Sequence, residues 1–165
     1  MNKDVIWELA FGEVSRDLIV EVEDILNVQF PEEYTRIVME YDGATVSPNV
    51  FNVQGKERVF GGLLSFTHEV EGENIIEVYE AIKDRLPSMV FPIASDPAGN
   101  YICFDYRNGE KPKIIFWEHE QAVAHEDISD EDFKNGKLSE MQEQAIFFVA
   151  NSFSEFIGKL HHYEE

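Results

Sequence analysis

Three apolar runs separated by two turn-rich segments set the tightest limit on the fold. Phe91–Pro92–Ile93–Ala94, Tyr101–Ile102–Cys103–Phe104–Asp105–Tyr106 and Ile114–Ile115–Phe116–Trp117 each have strand length and strand-type residues. Between them stand Ser95–Asp96–Pro97–Ala98–Gly99–Asn100 and Arg107–Asn108–Gly109–Glu110, both dense in turn formers. Strands joined by turns this short form an antiparallel meander.

The flanks carry helical spacing. Ser15 is placed to cap a helix whose inner face is Leu18, Ile19, Val22, Ile25 and Leu26, with Asn27 as its stop. Phe30–Pro31–Glu32–Glu33 opens a second helix, with Pro31 at the first helical position and two carboxylates where the helix dipole favours them. Tyr34, Ile37, Val38 and Tyr41 form its inner face, and Gly43 ends it in a left-handed cap. Val50–Val53 alternates as a strand before a turn at Gly55, and Gly61–Gly62 predicts a bulge or bend. A helix from about Asn74 to Leu86 stops at Pro87, and Ser152–Phe153–Ser154–Glu155 has capping-box spacing for a last one. The segment 126–143 predicts a surface loop with one short helix. With no repeat and no linker, residues 1–165 read as one α+β domain: a mostly antiparallel twisted sheet with flanking helices.

Charge narrows the function. Lys plus Arg is 13 against 33 for Asp plus Glu, a net charge of −20. Such a chain repels phosphates, which speaks against nucleic acid and anionic membrane and suits a basic protein partner. The hydrophobic fraction of 44% is enough for a real core. Met1–Asn2–Lys3–Asp4 carries no signal-peptide pattern, and the longest apolar run, Ala145–Ala150, is far below membrane-helix length. Cys103 is the single cysteine, so no internal disulfide forms, and it is expected as a small buried hydrophobe in a cytoplasmic protein.

Neither metal nor catalytic chemistry finds its spacing here. Asp127–Ile128–Ser129–Asp130–Glu131–Asp132 lacks the glycine an EF-hand loop needs, and His119 and His125 are too far apart for the zinc-helix pattern. No Gly-x-Ser-x-Gly elbow or phosphate-cradling loop occurs. The expected protein is therefore not an enzyme and holds no cofactor.

The candidate contact residues each admit two roles. Asp96 and Asn100 either grip a basic surface or serve the turn itself, with turn chemistry favoured for Asp96 and Gly99. Asp105 alternates with Phe104 and is expected to face solvent at the strand end, open to a partner. Trp117 beside Glu118, with Phe51 and Phe60, offers aromatic anchors; for the two phenylalanines core packing is the stronger expectation. Glu32, Glu33, Asp42, Glu69, Glu71 and Glu73 are either a solvated face or, converging with Asp96 and Glu118, a negative concavity.

Three segments, taken in order, resemble the SUKH superfamily, the Smi/Knr-like group named after a yeast cell-wall-synthesis regulator and its bacterial relatives. Phe30–Pro31–Glu32–Glu33–Tyr34 through Tyr41–Asp42–Gly43 is similar to its helix-and-glycine motif. The run from Phe91 through Asp96, Gly99 and Asn100 to Asp105 is similar to its strand–turn–strand motif. Ala150–Asn151–Ser152–Phe153–Ser154–Glu155–Phe156–Ile157 is similar to its closing motif. Two features depart from the pattern: Pro97 stands where a small polar residue is usual, and 126–143 is longer than the typical connection. The resemblance implies an α+β domain without a catalytic site. It also implies an immunity protein that occludes a toxin domain, often a nuclease, or else a regulatory scaffold like the yeast member.

Overall fold

The computed structural model describes residues 5–67 and 72–163, so Met1–Asp4, Glu69 and Glu71 lie outside the described residues. The chain begins with β1 (Ile6–Glu8), which pairs antiparallel with β2 (Thr45–Ser47). Between them come α1 (Arg16–Leu26) and α2 (Glu32–Tyr41). The Ser15 hydroxyl accepts the N–H of Leu18 at 3.1 Å, and Asn27 closes α1 in the left-handed region at φ 55°. Ile19, Val22 and Leu26 are buried, but Ile25 is 53% exposed. At 3.6 residues per turn Ile25 falls about 90° from the centre of the buried face, too far round to reach the core. Pro31 stands at the N-cap of α2, one residue before the position the sequence suggests. Gly43, at φ 72°, follows α2; a Cβ there would meet the Phe11 ring at 2.1 Å, so both conformation and contact demand glycine.

A hairpin follows, β3 (Val50–Val53) and β4 (Lys56–Val59), turning through Gln54 and Gly55, both at positive φ. The glycine pair is not merely a bend: Gly62 opens a short strand, β5 (Gly62–Leu63), at the edge of the main sheet. After α3 (Ile75–Ile82), capped by the Asn74 side chain, come β6 (Val90–Ser95), β7 (Tyr101–Asp105) and β8 (Lys113–Trp117). They form the predicted meander.

Segment 126–143 departs from expectation. It holds two helices, α4 (Asp130–Lys134), capped by Ser129, and α5 (Lys137–Glu143), separated by Gly136 at φ 73°. It is anchored as well: the buried Gln142 amide donates to the carbonyls of Asp84 and Val123, both at 3.1 Å. The apolar run Ala145–Ala150 supplies β9 (Ile146–Ala150), and α6 (Phe153–Gly158) closes the domain. The sheet order is β5-β6-β7-β8-β9, every pair antiparallel.

Alternation along β7 and β8 sends Ile102, Phe104, Ile114 and Phe116 to one face, and Tyr101, Cys103, Ile115 and Trp117 to the other. On the first face α2, α6 and the β3–β4 hairpin bring Tyr34 and Phe153 onto Phe104 and Phe51 onto Phe116, with Phe156 packed on Phe51. On the second, Arg85 lies over Trp117 and Tyr101 stacks on it. Covering both faces explains why the strands are apolar throughout instead of alternating.

Candidate docking surface

The turn between β6 and β7 spends its polar groups on itself. One Asp96 carboxylate oxygen accepts the N–H groups of Ala98 at 2.9 Å and Asn100 at 2.7 Å; the other accepts the Asn100 side-chain amide at 3.0 Å. The Asn100 side-chain oxygen in turn accepts the N–H of His119 at 3.0 Å, fastening the turn to the end of β8. Gly99, at φ 88°, completes the turn. Asp96 is 8% exposed and Asn100 3%. Turn chemistry therefore accounts for both side chains, and what the turn offers to solvent is Pro97, Ala98 and Gly99.

Asp105 corrects the expectation of a solvent-facing carboxylate. It is buried and held by Arg107, whose Nε and Nη2 donate to its two oxygens at 2.9 Å each. Arg107 also binds Glu143, tying the β7–β8 turn to α5. Burial by itself raises the Asp105 pKa, but the hydrogen bonds and charge of Arg107 outweigh it and hold the carboxyl below its usual value. The fork therefore stabilises the fold above the ordinary carboxylate pKa, and this stability is lost as pH falls through the depressed one. Asp105→Asn is expected to cost about 2 kcal/mol at neutral pH, the scale of a hydrogen-bonded charge. In urea titrations the gap to wild type should shrink below about pH 4. A gap of the same size at pH 7 and pH 3 would show that the charge contributes nothing.

Trp117 and Asp42 are also turned inward. Trp117 is fully buried on the second face of the sheet, because β8 is a central strand; it is a core residue and not an exposed anchor. Phe51 and Phe60 are core residues too. Asp42 is fully buried at the end of α2, accepting from the Ser65 hydroxyl at 2.6 Å and the Phe66 N–H at 2.7 Å. Burial raises its pKa despite those bonds, opposite in sign to Asp105. Glu118 keeps partial exposure; it pairs with Arg58 at 3.5 Å and accepts from the Gln121 amide at 3.1 Å. Asp42 and Asp96 are buried, so they add no charge to a solvent-facing concavity with Glu32, Glu33 and Glu118.

The open surface lies elsewhere. An open groove of about 910 Å³ runs between the α1–α2 connection, the β7–β8 turn and the β9–α6 turn. Its walls are fixed by three bonds. The Tyr106 hydroxyl donates to the Gln29 carbonyl at 2.7 Å, the Phe30 N–H donates to Glu23 at 2.7 Å, and the Ser154 hydroxyl donates to Glu33 at 2.6 Å. Burial pushes the Tyr106 pKa well up, so its hydroxyl remains a donor. Glu32, Glu33, Glu110 and Lys111 supply the lining charges, and Met89, 45% exposed, supplies an apolar wall. Met89 sits at φ 67°, a conformation non-glycine residues seldom adopt. Of these residues the sequence singled out Glu32, Glu33 and Glu110, the first two as acidic flanks and the third within a turn; Met89 carried no signal, because its exposure follows from a backbone angle.

Carboxylates also line the outer face of α1, at Asp17, Glu21 and Asp24, and crowd residues 126–132. Among the described residues no group of three or more His, Cys, Asp or Glu side chains is placed to hold a metal ion. Burial raises the Cys103 pKa, keeping it a protonated core thiol. No helix among the described residues is long and apolar enough to cross a membrane.

Comparison with known proteins agrees with this architecture. The chain is 40% identical over 81 residues to the SPbeta prophage-derived uncharacterized protein YokK of Bacillus subtilis (strain 168). That match covers 49% of this chain and 31% of the relative, so the matched half of the chain spans less than a third of that protein's length. The sequence profile of the SMI1 / KNR4 family (SUKH-1) matches residues 13–159, from just before α1 to just after α6. The α+β domain with its antiparallel meander belongs to the SMI1 / KNR4 family (SUKH-1).

Proposed function

We propose that the chain is a non-catalytic protein-binding module, an immunity protein that neutralises a bacterial toxin, such as a nuclease, by covering its basic surface. The observation that carries this reading is family membership in a chain of net charge −20. Toxin domains that act on nucleic acid are cationic where they meet phosphate, and an acidic, rigid surface is complementary to them. The prophage origin of the B. subtilis relative is in keeping with such a role. The module would work in the cytoplasm, where an incoming toxin acts. Glu118 and the Pro97–Gly99 turn are available to join the contact, whereas Asp42, Asp96, Asn100, Asp105 and Trp117 support it from within.

The test is capture of a partner by the tagged chain in its native cell at roughly 0.1 M and 1 M salt, where the screening length falls from about 10 to about 3 Å. The expected result is recovery of a basic toxin-like protein, weakened at high salt mainly through its association rate, and protection of cells that express that toxin. Recovery of a housekeeping protein, with no protection, would overturn immunity in favour of a regulatory scaffold.

A further inference from the structure

We propose that the groove between the α1–α2 connection, the β7–β8 turn and the β9–α6 turn receives an extended cationic segment of the protein partner. This inference rests on the protein-binding reading above and names its surface. An apolar side chain of the partner lies on Met89, and flanking Arg or Lys side chains reach Glu32 and Glu110. Three observations support it besides the volume, which is ample for several side chains.

The first is charge. The lining carries Glu32, Glu33 and Glu110 against Lys111 alone. Glu33 is bonded to Ser154, while Glu32 and its partner Arg36 are both exposed, so Glu32 can exchange that contact for a partner cation. The second is backbone polarity. Among the described residues no side chain caps α2, whose first residues Glu32 and Glu33 line the groove, so their N–H groups can donate to a partner carbonyl. Donors next to carboxylates match an extended basic peptide, whereas a purely acidic surface offers only half of that match. The third is Met89. Its positive φ keeps a flexible apolar side chain exposed beside the groove, while its carbonyl is fixed by the Tyr106 N–H at 2.9 Å. The outer face of α1 presents its exposed carboxylates from a single helix and is not part of this groove's lining.

The experiment is an NMR titration of the isotope-labelled full chain with the peptide acetyl-Arg-Leu-Lys-Leu-Arg-amide, and with its glutamate counterpart. The basic peptide is expected to shift residues 29–33, 106 and 109–111, together with Met89; the acidic one should shift none. Glu32→Lys/Glu110→Lys should weaken the basic peptide at least about tenfold, equivalent to about 1.4 kcal/mol, in a chain that still unfolds in one cooperative transition. Asp17→Lys/Glu21→Lys on α1 should change it less than about threefold, because exposed charges outside the lining act only through screening solvent. Shifts centred on α1 or on residues 126–132, an equal response to both peptides, or no saturable binding would each overturn the groove. A chain that binds the peptide here yet protects no cell loses the immunity role and keeps the groove; a protecting chain that fails the titration loses the groove alone.

Discussion

Asp42→Ala is expected to destabilise the fold by about 3 kcal/mol, the sum of two hydrogen bonds to a buried charge less the cost of burying that charge. The carboxylate is the joint between three segments. Its oxygens take the Ser65 hydroxyl and the Phe66 N–H, its own N–H donates to the Gly12 carbonyl, and its carbonyl accepts the N–H of Phe11. Alanine keeps the backbone bonds and strips the side-chain ones, leaving the Phe66 N–H without its acceptor in a buried place. Asp42→Asn keeps one acceptor oxygen, so about 1 kcal/mol is expected of it. The pH dependence has a definite sign. The folded pKa is raised, so the folded state takes up a proton before the unfolded chain does. The penalty of the buried charge is present above the folded pKa and is relieved as pH falls through it. Urea unfolding of the three proteins at pH 7 measures the series, and equal stability of Asp42→Ala and wild type would refute the joint.

The meander was legible because its turns are written in the residues that make them. Turn chemistry, the favoured reading for Asp96 and Gly99, matches what the turn does, since an Asx side chain accepting N–H groups two and four residues on is a local event; Asn100, open to either role in the sequence, serves the turn as well. Ser15, Asn74 and Ser152 are legible for the same reason. Features that depend on distant chain segments were not. Asp105 alternates like a surface residue, yet Arg107 and the later helix α5 enclose it. β1 is three residues long and exists through its pairing with β2, 37 or more residues away in sequence, so no local pattern announces it. The run Ala145–Ala150 was too short to distinguish a strand from a buried helix until β8 lay beside it. The groove is the extreme case: its walls come from four separate segments, and its geometry rests on tertiary bonds such as that from Tyr106 to Gln29, 77 residues apart.

Phe104→Ala is expected to cost about 4 kcal/mol, within the range for emptying a well-packed aromatic site. Phe104 is fully buried on β7, with ring centroids 5.0 Å from Tyr34, 6.0 Å from Phe30 and 6.3 Å from Phe153. Those three rings come from α2, the segment before it, and α6, so one side chain holds both helices to the sheet. The neighbouring ring behaves oppositely. Tyr34 is equally buried, but among the described residues its hydroxyl has no hydrogen-bond partner. Burial raises its pKa far up, with the nearby Asp42 charge adding to the effect, so the group stays a neutral, unsatisfied hydroxyl. Tyr34→Phe removes that desolvated oxygen and keeps the ring, so it is expected to leave stability unchanged or raise it by about 1 kcal/mol. Thermal and urea unfolding of both variants separates the two sources of stability. If Tyr34→Phe were destabilised by as much as Phe104→Ala, the hydroxyl would have to be bonded, and the packing of this layer would differ from the one described. If Phe104→Ala cost less than about 2 kcal/mol, the site would have collapsed around the gap. Because Phe30 lines the groove and Tyr106 anchors its wall, that collapse should also weaken peptide binding there, whereas Tyr34→Phe should leave it intact.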